Sequence, residues 1–95
     1  MPNSLVTGRQ IKAARALVAW TRDELAEKAG VTAQTVKVVE KDDVVLEALA
    51  STRALLCRVL ETAGITFLNG GSVGVQVVPR EEGLRPEDLN ASNDD

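Results

Sequence analysis

Few side chains in this sequence could make or break a covalent bond. There is no His and no Tyr among its 95 residues, and there is one Cys. The commonest general base and the commonest metal ligand are missing together. Cys57 follows Leu56 in an apolar pattern and reads as a small buried residue rather than a reactive thiol. The acid pairs Asp42-Asp43 and Glu81-Glu82 are adjacent in sequence, so their side chains diverge in a helix or a strand. Gly70-Gly71-Ser72 is followed neither by Gly-Lys-Ser/Thr nor by a helical pattern, which removes a phosphate-loop reading. No catalytic residue, metal site or cofactor is expected. The chemistry left is that of non-covalent recognition. Its groups gather in one stretch: the amide of Gln34, the ammonium groups of Lys37 and Lys41, the Arg22 guanidinium, and the hydroxyls of Thr21, Thr32 and Thr35.

That stretch, TRDELAEKAGVTAQTVKVVEK from Thr21 to Lys41, reads as helix, tight turn, helix. Thr21 is an N-cap, and Glu24 three residues later completes a capping box. Leu25, Ala26 and Ala29 give the first helix its apolar stripe, and Gly30 suits the left-handed position that ends a helix. Val31 puts an apolar side chain in the turn, and Thr32 caps the second helix. Val36 and Val39 mark its buried side, which leaves Ala33, Gln34, Lys37, Val38 and Lys41 outside. Two short helices around a glycine-containing turn form the helix-turn-helix pattern.

The rest of the chain must support that unit. At this length one small core is available, and Trp20 and Phe67 are the only aromatic residues, so the core must be aliphatic. Residues 1–6 are expected to be a loose lead. A preceding helix is predicted from Thr7 or Gly8 to about Ala19, with Ile11, Ala14, Leu17 and Val18 inward, and Trp20 plugs its junction with the next helix. Asp42-Asp43 breaks the helical pattern. The pattern resumes over about 44–63 through Leu46, Leu49, Ala50, Leu56, Val59, Leu60 and Ala63, with Ser51-Thr52 able to cap a helix inside it. Ile65–Leu68 and Val73–Val78 favour strand, and Asn69-Gly70-Gly71-Ser72 between them favours a hairpin turn. Such a hairpin must pack on its own helices or pair with a second copy. From residue 80 the composition predicts a disordered acidic tail. The organisation expected is therefore a helical bundle over 1–64, a hairpin over 65–79 that could serve dimerisation, and a tail over 80–95.

Charge is unevenly divided. The net charge is −3, yet residues 81–95 hold six acids and one base, so the remainder is slightly positive. Over residues 1–41 the balance is +3. No apolar run approaches the roughly 20 residues of a membrane span. The opening residues lack the pattern of a signal peptide, so a cytoplasmic location is expected.

The words ARALVAWTRDELAEKAGVTAQTVKVVEK and LLCRVLETAGITF resemble those of the Cro/cI-type helix-turn-helix regulators, the xenobiotic-response-element (XRE) family. The resemblance covers residues 7–64 and extends into the hairpin. It implies a mainly α fold: a compact, lambda-repressor-like bundle of four or five helices, here followed by a short C-terminal β-hairpin. It implies a transcriptional regulator, a repressor in the first instance, that binds a palindromic operator in double-stranded DNA as a homodimer. Carried over by position, Ala33, Gln34, Lys37 and Val38 would contact bases, and Thr21, Arg22, Thr32, Thr35 and Lys41 phosphates. Arg15 and Glu40 occupy the positions of a partly buried structural ion pair. The recognition helix has no Arg and carries an apolar Val38 outward. A protein-interaction module on the same fold, such as an antitoxin, an anti-activator or an adaptor of another regulatory protein, is the alternative.

Overall fold

Three of the four α-helices described begin where the sequence supplies a threonine oxygen to the free backbone N–H groups of the first turn. The computed structural model describes residues 6–69, 71 and 73–78. The tail expected from residue 80 onward lies outside them. Helix α1 spans Gly8–Leu17, α2 Arg22–Ala29, α3 Ala33–Glu40 and α4 Ala50–Thr62. Strands β1 (Ile65–Leu68) and β2 (Gly74–Val77) follow as an antiparallel pair, so the chain is mainly helical with a two-stranded hairpin. Among the described residues, no helix is long and apolar enough to cross a membrane.

Thr7 caps α1. Its Oγ1 accepts from Gln10 N, and Gln10 Oε1 accepts from Thr7 N at 3.0 Å. Ile11 and Ala14 are fully buried and Val18 packs against the core, whereas Leu17 is 47% exposed. Leu17 departs from the expected stripe because, at about 100° per residue, it falls far round the helix from Ile11 while Val18 does not. The helix stops at Leu17, and Ala19 turns the chain at φ 60°. Val6, expected in a loose lead, is instead fully buried in the core.

The segment after α3 differs most from its sequence pattern. Residues 44–46 are not helical, one turn of 3-10 helix spans Glu47–Leu49, and α4 follows without a break. The Asp42 carboxylate is the cause. Its Oδ2 accepts from Leu46 N at 2.8 Å and draws the chain into a bend that holds Val45 at φ 59°. That is a costly backbone for a β-branched residue. Leu46 and Val44 consequently face solvent. Ser51 and Thr52 do not cap α4. They lie inside its first turn, and the 3-10 turn already satisfies the helix start through Ala50 N to Glu47 O.

The inward face of α4 is Arg53, Leu56, Cys57 and Leu60, all buried. The buried Arg53 was not foreseen, although it occupies a stripe position one turn before Leu56 and Cys57. In the hairpin, Ile65 pairs with Val77 and Phe67 with Val75. Ile65 and Phe67 join the same core as the helices, with Val75 packed against it. The hairpin thus folds onto its own helices. Gln10 pins it: Nε2 donates toward Leu68 O (3.2 Å), Asn69 Oδ1 (3.3 Å) and Gly74 O (3.0 Å). At the other end Gly64, at φ 104°, accepts from Val78 N at 2.8 Å. A Cβ at Gly64 would stand 2.3 Å from Val78 O, so only glycine fits this close approach.

Burial pushes the Cys57 thiol up from 9.0 to about 12, with Glu61 adding to the rise and Arg53 opposing it. Well below pH 9.0 both folded and unfolded states keep the thiol protonated, so this group does not affect stability there. Between 9.0 and about 12 the unfolded state loses its proton first, and stability falls as pH rises. Native protein at neutral pH should resist thiol reagents until denaturant is added. Denaturant melts above pH 9.0 should show a smaller alkaline loss in Cys57→Ala than in the parent.

Candidate nucleic-acid interface

Helices α2 and α3 are set by their caps. Thr21 Oγ1 accepts from Glu24 N at 3.0 Å, and Glu24 Oε1 accepts from Thr21 N at 2.7 Å. Gly30 ends α2 in the left-handed region at φ 73°. Thr32 Oγ1 accepts from Thr35 N at 3.1 Å, and the two hydroxyls lie 3.0 Å apart. Leu25, Ala26, Val36 and Val39 bury the shared side, with Val31 half-buried from the turn.

Gln34 and Val38 are exposed one turn apart on α3, and Lys41 is exposed at its C-terminal end. Lys37 is half-buried between them. Ala33 is also half-buried and packs against the core, so only part of its surface faces outward. The outward ridge therefore offers one amide, one branched apolar side chain and two ammonium groups. Thr21 and Thr32 are exposed and Thr35 is half-buried. The Thr21 hydroxyl accepts a bond from Glu24 N, which leaves its own hydrogen to donate.

The carboxylate of Glu40 fixes this ridge. Its side chain is 2% exposed. Arg15 Nε donates to Oε2 at 2.6 Å and Arg15 Nη2 to Oε1 at 3.2 Å, a forked pair joining α1 to α3. Arg15 Nη1 also donates to Trp20 O at 3.0 Å, which ties in the chain before α2. Arg22 Nε donates to Glu40 Oε1 at 3.3 Å. Arg22 is thus tethered by one nitrogen and 40% exposed, rather than projecting free from the α2 N-terminus. At the other end of α1, a Cβ on Gly8 would stand 2.5 Å from the carbonyl oxygens of both Val39 and Glu40. Backbone packs directly on backbone there, and Gly8 N donates to Asp42 O at 2.8 Å.

Of the two acids after α3, Asp42 turns inward and Asp43 stays exposed. Asp42 is buried against Arg53, with Nη1 to Oδ2 at 3.3 Å, and Arg53 Nη1 also donates to Leu46 O at 3.1 Å. Asp43 faces the start of α1, accepting from Arg9 N and Arg9 Nε at 3.3 Å each. Each of the three acids from 40 to 43 thus has a cationic partner. Trp20 is half-buried, with Lys28 Nζ 4.9 Å from its ring centroid, and it borders a groove between α2 and α4. Among the described residues, no cluster of three or more His, Cys, Asp or Glu could hold a metal ion.

Burial separates the two kinds of ion pair. Glu40→Ala strands a mostly buried guanidinium and should cost about 3–5 kcal/mol in a denaturant melt. Arg9→Ala breaks a pair whose side chains are 84% and 43% exposed, and the same melt should change by less than about 1 kcal/mol. No family model matches this chain, and no curated protein matches it closely enough to serve as a relative.

Proposed function

We propose that the protein is a sequence-specific DNA-binding transcriptional regulator on a Cro/cI-type, lambda-repressor-like bundle. In this reading it represses by binding a palindromic operator as a homodimer. The observation that carries the reading is the outward ridge of α3: Gln34, Lys37, Val38 and Lys41 stand on a capped helix clamped through Glu40, with Glu40, Asp42 and Asp43 each paired to an arginine. An α-helix fits the major groove of B-DNA, where sequence is read from base edges. Gln34 would bond adenine N6 and N7, Val38 and the exposed part of Ala33 would touch thymine methyl groups, and Lys37 would face the base edges alongside them. Lys41, Thr21, Thr32, Thr35 and the exposed part of Arg22 would meet phosphates, which position the protein without reading sequence. Two copies would place their ridges in half-sites about 34 Å apart.

A second reading rests on Val38. An apolar side chain 43% exposed at the centre of the ridge also suits a protein surface. Here the bundle is an interaction module, an antitoxin, anti-activator or adaptor, with little DNA affinity.

Gel shifts with the DNA upstream of its own gene separate the two. A regulator should give sequence-dependent binding that weakens steeply with salt. Absence of any such complex, together with a stoichiometric protein partner in a pull-down, would support the interaction module instead. Within the DNA reading, Gln34→Ala should relax the preference at one base pair by about 1–3 kcal/mol. Lys41→Ala should instead weaken all sequences alike and lower the salt slope by about 1.

A further inference from the structure

A groove of about 390 Å³ lies between α2 and the end of α4, lined by Trp20, Lys28, Arg58, Val59, Thr62 and Ala63. Its floor is apolar, since Trp20 and Val59 are half-buried against the core and Ala63 is half-buried beside them. Its cations are Lys28 and Arg58, both exposed. The ion pairs among the described residues use Arg9, Arg15, Arg22 and Arg53, and neither of these two. An apolar floor between two cations suits a segment that carries carboxylates close to an apolar side chain.

The chain itself supplies that segment at the right place. The hairpin register sets Val78 against Gly64, so the chain leaves β2 next to Ala63, a residue of the groove. The sequence then runs Pro79-Arg80-Glu81-Glu82-Gly83-Leu84, and residues 79–95 carry six acids against two bases. Arg58 lies six residues before Gly64, about 9 Å along a helix at 1.5 Å per residue. Glu81 and Glu82 stand three and four residues beyond Val78, a reach of about 10–14 Å for an extended chain.

We infer that this groove is the docking site of the chain's own acidic segment. Glu81 and Glu82 pair with Arg58 and Lys28, and Leu84 lies on the floor formed by Trp20 and Val59. A short tether gives the chain's own segment an effective concentration in the mM range, well above that of a second copy in dilute solution. The contact is independent of DNA and stands or falls apart from the regulatory reading.

Trp20 is the only tryptophan, so its fluorescence reports on the groove in the full-length chain. Acrylamide quenching and emission maximum are measured at low and high salt, without DNA, with circular dichroism confirming that each variant is folded. At 1 M salt, where the Debye length is about 3 Å, the quenching constant should rise about twofold and the emission should shift to the red. The full-length double variant Glu81→Lys with Glu82→Lys should show the same change at low salt. Arg58→Glu should reproduce it, and combining Arg58→Glu with Glu81→Arg and Glu82→Arg should restore the parent values. Unchanged quenching in every folded variant would overturn the docking. A change that appears only at concentrations where the chain self-associates would also overturn it, and would assign the groove to the tail of a second copy.

Discussion

One buried carboxylate, that of Glu40, determines how the first three helices meet. A carboxylate removed from water is tolerated only when its lone pairs are matched, and the fork of Arg15 matches both oxygens with a third bond from Arg22. Because Arg15 also holds Trp20 O, the same guanidinium sets where α1 ends, where α2 begins and how far α3 stands from both. Gly8 completes the constraint from the other end by letting the start of α1 touch the last carbonyls of α3. The helix pair is fixed at two points, one electrostatic and one steric.

Polar side chains also fix the parts of the fold where apolar packing is thin. Gln10 caps its own helix with one end of its amide and holds the hairpin with the other, so a two-stranded element that is marginal alone shares the order of α1. Asp42 and Arg53 brace the bend after α3 in a similar way. Their pair uses a single nitrogen, Nη1, and leaves Asp42 Oδ1 and Arg53 Nε without a partner among the described residues. A buried pair of that kind contributes more to the path of the chain than to net stability.

Local chemistry was readable in the sequence, and tertiary substitution of one partner for another was not. Thr21, Glu24, Gly30 and Thr32 announce their caps because each acts within four residues of itself. The buried faces of α2 and α3 followed from spacing alone, and the placement of Arg15 opposite Glu40 came from resemblance to a familiar pattern. The segment after α3 misled because Leu46 and Leu49 continue a helical period, while Asp42 captures the backbone of Leu46 from outside that period. Val6 and Arg53 were missed for related reasons. A residue before the first cap carries no periodic signal, and an arginine in an apolar stripe looks like an error until its carboxylate is found eleven residues earlier. Among the candidate site residues, exposure at Gln34, Val38 and Lys41 was legible. The half-burial of Ala33 and the tether on Arg22 depend on neighbours distant in sequence.

The clamp at Glu40 separates what holds α3 in place from what α3 displays. The residues that fix the helix, Val36, Val39 and Glu40, point inward, while Gln34, Val38 and Lys41 make none of the bonds described above. Substitutions at such exposed positions usually move stability by no more than about 0.5 kcal/mol. The outward face is therefore energetically insulated from the scaffold. Its backbone is preorganised, so a partner meeting it orders only a few long side chains, at about 0.5–1.5 kcal/mol each, and not a helix. A chain built this way can exchange the surface it presents, and with it the partner it selects, without renegotiating its fold.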